Sequence, residues 1–160
     1  MTVKEILNQI EDDDLYMALH EAKGHALSEH VILREDLPEK LLSTPKPKNP
    51  YDMKLATRFF SKEEALIFIR KALQNHQEEI EHWVSSDVET FLRIEETFEG
   101  ITGEGIAYHT DWKNRFQLHG VLVLLHRCPE HLFYVKTAYP YAAFDDVDPI
   151  LDAIEAYERK

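Results

Sequence analysis

Three histidines, His20, His25 and His30, stand five residues apart near the start of a 160-residue chain. Imidazole changes charge near neutral pH, so it serves as acid, base or metal ligand. A five-residue step turns about 140° around a helix. The three therefore do not share a helical face, and they do not make the H-x-x-x-H pattern of a helical zinc site. Gly24 between them argues for two segments. The plain reading is one capping or core histidine and two on the surface. His76 and His82 fall in a polar helical stretch, and His109, His119, His126 and His131 near strand ends or turns. A single cysteine, Cys128, excludes a cysteine zinc site and an internal disulfide. No metal or cofactor is expected, since neither a glycine-rich phosphate loop nor a dinucleotide fingerprint is present.

A second grouping lies near the other end. Thr137 and Tyr139 are two residues apart at the end of an apolar stretch, so in extended chain they point to one face. Two hydroxyls on one face beside a histidine suit a phosphate; the alternative is a strand end with Tyr139 under a loop. Glu95-Glu96 is a weak candidate for two-carboxylate acid–base chemistry, because strand neighbours face opposite sides. The chain carries 18 Lys+Arg against 30 Asp+Glu, a net charge of −12, which repels nucleic acid at long range. The distribution is uneven. Residues 31–75 hold nine basic side chains, among them Arg34, Lys40 and Arg58, against six acids, for +3, which leaves −15 elsewhere. That stretch reads either as a local basic surface on an acidic body or as a solvated loop and helix face.

The elements that must position these groups are legible in outline. At this length one domain, residues 1–160, buries roughly two-thirds of its unfolded surface. Residues 3–10 have helical spacing, a second helical stretch starts at Leu15, and a short helix carries His25 to Val31. Asp36 caps a helix with Pro38 in its first turn. Pro45, Pro47 and Pro50 make residues 44–53 a loop. Residues 53–60 read as extended, and Ser61 with Glu64 forms a capping box for a long helix that breaks near Asn75-His76. The period then changes. Val88 to Ile94 alternates as a strand, Gly100, Gly103 and Gly105 mark turns, and 106–109 suits a short strand. LHGVLVLLH (118–126) reads as a central strand, with LFYVKTA (132–138) as its hairpin partner. Asp148-Pro149 opens a final helix over about 148–159, with Ile150, Leu151, Ile154 and Tyr157 inward. Helices followed by an antiparallel meander give an α+β class, with N-terminal helices packed on an antiparallel β-sheet. No apolar run approaches the roughly 20 residues of a membrane span. The N-terminal stretch has no signal-peptide features, so a cytoplasmic place of action is expected.

Taken in order, Gly24-His25, His30-Val31, Ala56-Thr57-Arg58-Phe59 before a capped helix with Ile80 and Trp83, and the closing LFYVKTAYP make a pattern. It resembles the bacterial RNase A-like toxin domain found at the C-termini of contact-dependent growth inhibition and other polymorphic toxins. That family shows G-H-x-x-x-x-H-V, then A-[ST]-x-F before a helix, then T-A-Y-P. The resemblance covers about residues 16–140, and the helix at 148–159 extends past the usual family end. It implies a pancreatic-ribonuclease-like fold without disulfides and a metal-independent ribonuclease activity. It also implies a site of His30 (or His25), a basic residue near Lys40, Thr137 and Tyr139. Where the family holds arginine this chain has Lys40, which lacks the bidentate fork; Arg34 and Arg58 are then candidates for binding the substrate. The implied partners are an RNA substrate and an immunity protein, with no DNA and no membrane. The alternative is an inactive acidic relative that binds a protein, as an antitoxin or immunity-type module does.

Overall fold

A computed structural model of the chain describes residues 2–9, 30–86, 88–128 and 132–159. His20, His25, His131 and the helical stretch from Leu15 lie outside the described residues. Helix α1 spans Val3–Gln9. His30 is helical, and a 3₁₀ turn, Arg34–Asp36, runs directly into α2, Leu37–Leu42. Asp36 occupies the cap position with Pro38 beside it, but its side chain makes no capping hydrogen bond. The preceding turn already holds its backbone at φ −87°, ψ −7°, whereas a side-chain cap needs an extended residue. Ser61 meets that need: it is extended, and its Oγ accepts from the Glu64 amide at 3.1 Å, opening α3, Lys62–Asn75. The helix stops at His76, and α4, Gln77–Ser85, continues the apolar spacing.

The strands are β1 (Leu55–Phe59), β2 (Phe91–Thr97), β3 (Gly103–Ala107), β4 (Phe116–Leu118), β5 (Gly120–Cys128) and β6 (Leu132–Tyr141), followed by α5, Phe144–Glu158. Among the described residues they form two antiparallel three-stranded sheets, β1-β3-β4 and β2-β5-β6, with β5 central as its apolar run implies. The first face of β2-β5-β6 carries Ile94, Val121, Val123, Leu125, Phe133, Val135 and Ala138 into the main core, against α1, α3 and α4. One face of β1-β3-β4 packs on Leu37 and Leu41 of α2; the other is covered by Ile150 and Ile154 of α5.

Four local expectations change. Gly103 and Gly105 are strand residues, not turn residues. A Cβ at Gly103 would stand 2.2 Å from the Arg58 carbonyl oxygen and 2.5 Å from Pro140 Cγ, so the glycine is needed where the two sheets close on each other. The 118–126 run is interrupted at His119, which separates β4 from β5. Strand β2 begins at Phe91, and Val88 is exposed. The last helix starts at Phe144, because the Asp146 carboxylate accepts the Ala143 amide at 2.9 Å and sets the first turn there; Tyr157 stays outside, 46% exposed.

One irregularity orients the site. Leu124 pairs with Thr137 but Leu125 pairs with Val135, so Lys136 is an extra residue in β6. Strict alternation from Phe133 and Val135 would send Thr137 and Tyr139 into the core. The bulge gives the core Ala138 and Pro140 instead, and turns Thr137, Tyr139 and Tyr141 to the second face.

Candidate active site

Strands β1 and β6 form the two walls of a crevice between the sheets. A cavity of about 290 Å³ lies there, walled by Met53 to Leu55 and Thr57 on one side and Tyr139 to Ala142 on the other, with His30 and Lys40. Lys40 reaches from the last turn of α2 across the edge of β1. Its Nζ donates to the Thr57 carbonyl at 2.9 Å and stands 2.6 Å from His30 Nδ1. An ammonium has donors only, so Nδ1 accepts and the neutral ring carries its proton on Nε2. The His30 ring lies against Tyr139, with centroids 5.1 Å apart and planes tilted by 35°. An imidazole, an ammonium and a phenol, drawn from three separate segments, thus share one small crevice.

Thr137 shares the strand face of Tyr139, half-buried, and lies outside the cavity wall. Three wall residues escaped sequence reasoning. Thr57 is a buried polar residue, only 6% exposed. Lys54 brings a second cation into the cavity. Tyr141 repeats the two-residue step beyond Tyr139, a signal that was available. Its ring lies over Gly120, where a Cβ would be 2.4 Å from Tyr141 Cε1. Burial, then the Glu95 carboxylate, push the Tyr141 phenol above its ordinary pKa, against a hydrogen bond from Thr97.

Arg34 and Arg58 go elsewhere. Both hold Glu104, a buried carboxylate near the start of β3. Arg34 Nε and Nη2 donate to it at 2.7 and 3.1 Å, Arg58 Nη1 at 2.8 Å, and Arg115 stands 3.7 Å away. Arg58 Nε also donates to the Ile32 carbonyl at 2.8 Å, which tethers the segment two residues after His30. These guanidiniums position the histidine segment rather than line its cavity. Burial alone would raise the Glu104 pKa; the hydrogen bonds and charges of Arg34 and Arg58 outweigh it, and the net shift is downward. The carboxylate therefore stabilises the fold above its unfolded pKa of about 4.3, and that stability is lost as the pH falls through its lower folded value. Glu104→Gln should cost about 3 kcal/mol at neutral pH and flatten the acid limb. Urea unfolding of both proteins from pH 7 downward checks this; equal acid limbs would deny Glu104 the role.

A further polar pair joins the β4–β5 break to α5. The His119 amide donates to Asp146 Oδ2 at 2.8 Å, and His119 Nδ1 to Oδ1 at 2.7 Å. The pair lines a larger cavity of about 820 Å³ with Phe98, Arg115 and Phe116. Asp146 already caps α5, which accounts for its burial. Among the described residues no three His, Cys, Asp or Glu side chains converge as a metal site, and no helix is long and apolar enough to cross a membrane.

Against known proteins, residues 24–140 match the family model described as "Bacterial CdiA-CT RNAse A domain". The chain belongs to this family, a family of nuclease toxin domains of contact-dependent growth inhibition, and α5 lies beyond the matched segment. The fold is also that of a chain in the crystal structure of a CdiA-CT/CdiI complex from Y. kristensenii. The two are 21% identical with a TM-score of 0.62, covering 74% of this chain and 99% of that one. No curated protein matches the chain.

Proposed function

We propose that the chain is a metal-independent endoribonuclease, acting as a toxin module, that cleaves RNA by attack of its own 2′-hydroxyl on the adjacent phosphorus. One observation carries this most: His30, Lys40 and Tyr139, which the family pattern implies as site residues, share one crevice, with the lysine ammonium on the imidazole. A phosphate entering the crevice attracts Lys40 toward its oxygens. That leaves the His30 Nδ1 lone pair to take the 2′-hydroxyl proton, and imidazole is suited to this near neutral pH. The O2′–P bond forms, and negative charge grows on the phosphoryl oxygens beside the Lys40 ammonium and the Tyr139 hydroxyl. The P–O5′ bond then breaks, and the 5′-oxygen takes up a proton. Thr137 is a further hydroxyl on the same face, and Lys54 a second cation for the strand.

An acidic enzyme engages an anionic polymer through a local basic site, and residues 31–75 supply that excess. An immunity-type protein that covers the crevice is the expected partner, in keeping with the CdiA-CT/CdiI complex whose chain shares this fold. The single domain extends to α5, whose Ile150 and Ile154 complete the packing on β3 and β4. Digestion of single-stranded RNA with and without EDTA tests the reading. Cleavage should persist in chelator, and the products should end in a 2′,3′-cyclic phosphate. Activity lost on chelation and restored by Mg²⁺ would overturn the mechanism; absence of cleavage under every condition would favour a protein-binding relative that kept the fold.

A further inference from the structure

The second face of β2-β5-β6 carries more rings than the crevice uses. Register places Phe91 opposite His126 and His126 opposite Tyr134, so three rings form a row across all three strands. His126 meets Phe91 edge-on, with centroids 4.6 Å apart and planes at 82°, and lies tilted against Tyr134 at 5.2 Å. Lys136, the residue added by the bulge, brings its Nζ to 5.1 Å from the Phe91 ring centre. Phe91 is 44% exposed, although the core of this sheet lies on the opposite face. The neighbouring Arg93 and Glu95 pair with each other at 2.8 Å, and Lys136 places its ammonium over the row.

The row is continuous with the crevice. Tyr139 pairs with Leu122 and Tyr134 with His126, so the two places share a face and are four residues apart along β5, about 13 Å. An extended RNA strand covers that distance within a few nucleotides. Rings on a sheet face with a cation beside them hold unpaired bases by stacking, without regard to sequence, while the cation meets the backbone. We propose that Phe91, His126, Tyr134 and Lys136 form a nucleobase-stacking subsite for the single-stranded RNA that runs out of the His30 crevice. This rests on the ribonuclease reading and adds a substrate preference to it: longer single strands over dinucleotides.

The test compares a dinucleotide, which fills the crevice alone, with a mixed-sequence single-stranded oligoribonucleotide of about ten nucleotides, long enough to reach a stacking groove. Phe91→Ala and Tyr134→Ala should each raise KM for the oligonucleotide by about 5- to 150-fold, the span measured for lost base stacking. The kcat and dinucleotide cleavage should stay at the unsubstituted level, and Phe91→Trp and Tyr134→Phe should restore the oligonucleotide KM. Thermal melting confirms that the variants fold. An oligonucleotide KM unmoved by either alanine overturns the subsite and leaves the ribonuclease reading intact, with the row then left to a protein partner. If the unsubstituted chain cleaves nothing, the ribonuclease reading fails, and fluorescence anisotropy of the labelled oligonucleotide still decides the subsite. Binding weakened by the alanines supports it, and binding indifferent to them overturns it.

Discussion

His30→Ala should lower RNA cleavage by at least about 10²-fold, the lower end for loss of a general acid–base group, with the fold intact. The ring is half-buried and lines the crevice, outside the hydrophobic clusters of the core. What is lost is the group that accepts the Lys40 ammonium at 2.6 Å and lies against Tyr139. Single-turnover cleavage, with melting as the control, reads the effect. The kcat/KM profile of the unsubstituted chain should rise with pH through the imidazole range, and that rise should vanish in the variant. If His30→Ala keeps the full rate while His25→Ala does not, the assignment belongs one motif step earlier.

Replacing Lys40 should have a comparable effect for a different reason. Lys40→Ala removes the cation nearest the proposed phosphorane, and such a loss is worth about 10²–10³ in rate. It should also weaken the salt dependence of cleavage, since one fewer phosphate contact releases one fewer counterion. Lys40→Arg should hold or raise the activity, because the charge is kept and the planar fork suits a phosphate. The two variants separate a charge role from a packing role. If both cleave at the unsubstituted rate, Lys40 is not in the site. Lys54, which lines the same cavity, then becomes the cation to test, ahead of Arg34 and Arg58, which Glu104 already engages.

Much of the architecture is written locally. A capping serine, a glutamate three residues on and an apolar stripe are enough to start α3 at Lys62, because the orphan amides of a first turn need an acceptor wherever the helix packs. The apolar run of β5 marks a central strand for a similar reason: a strand paired on both sides, with one face covered by helices, has little room for polar side chains on that face. The His30, Lys40 and Tyr139 types were legible through the family pattern, whose order and spacing persist although no single motif is distinctive.

What the sequence by itself determined is therefore the α+β class, most elements to within a few residues, and the groups in the pattern. Only the tertiary structure decided how they are used. Read locally, Phe133, Val135, Thr137 and Tyr139 alternate as one buried face; the bulge at Lys136 reverses the phase and turns the two hydroxyls outward. Gly103 and Gly105 look like turn residues until their strand is flanked, because the need for a missing Cβ comes from Arg58 and Pro140 at Gly103 and from Ala56 at Gly105, all distant in sequence. Arg34 and Arg58 are read from the sequence only as free cations, and folding brings Glu104, 70 and 46 residues away, against both. In each case local propensity fixes what a residue can do, and contacts made across the chain, which no local pattern encodes, fix which of those possibilities is realised.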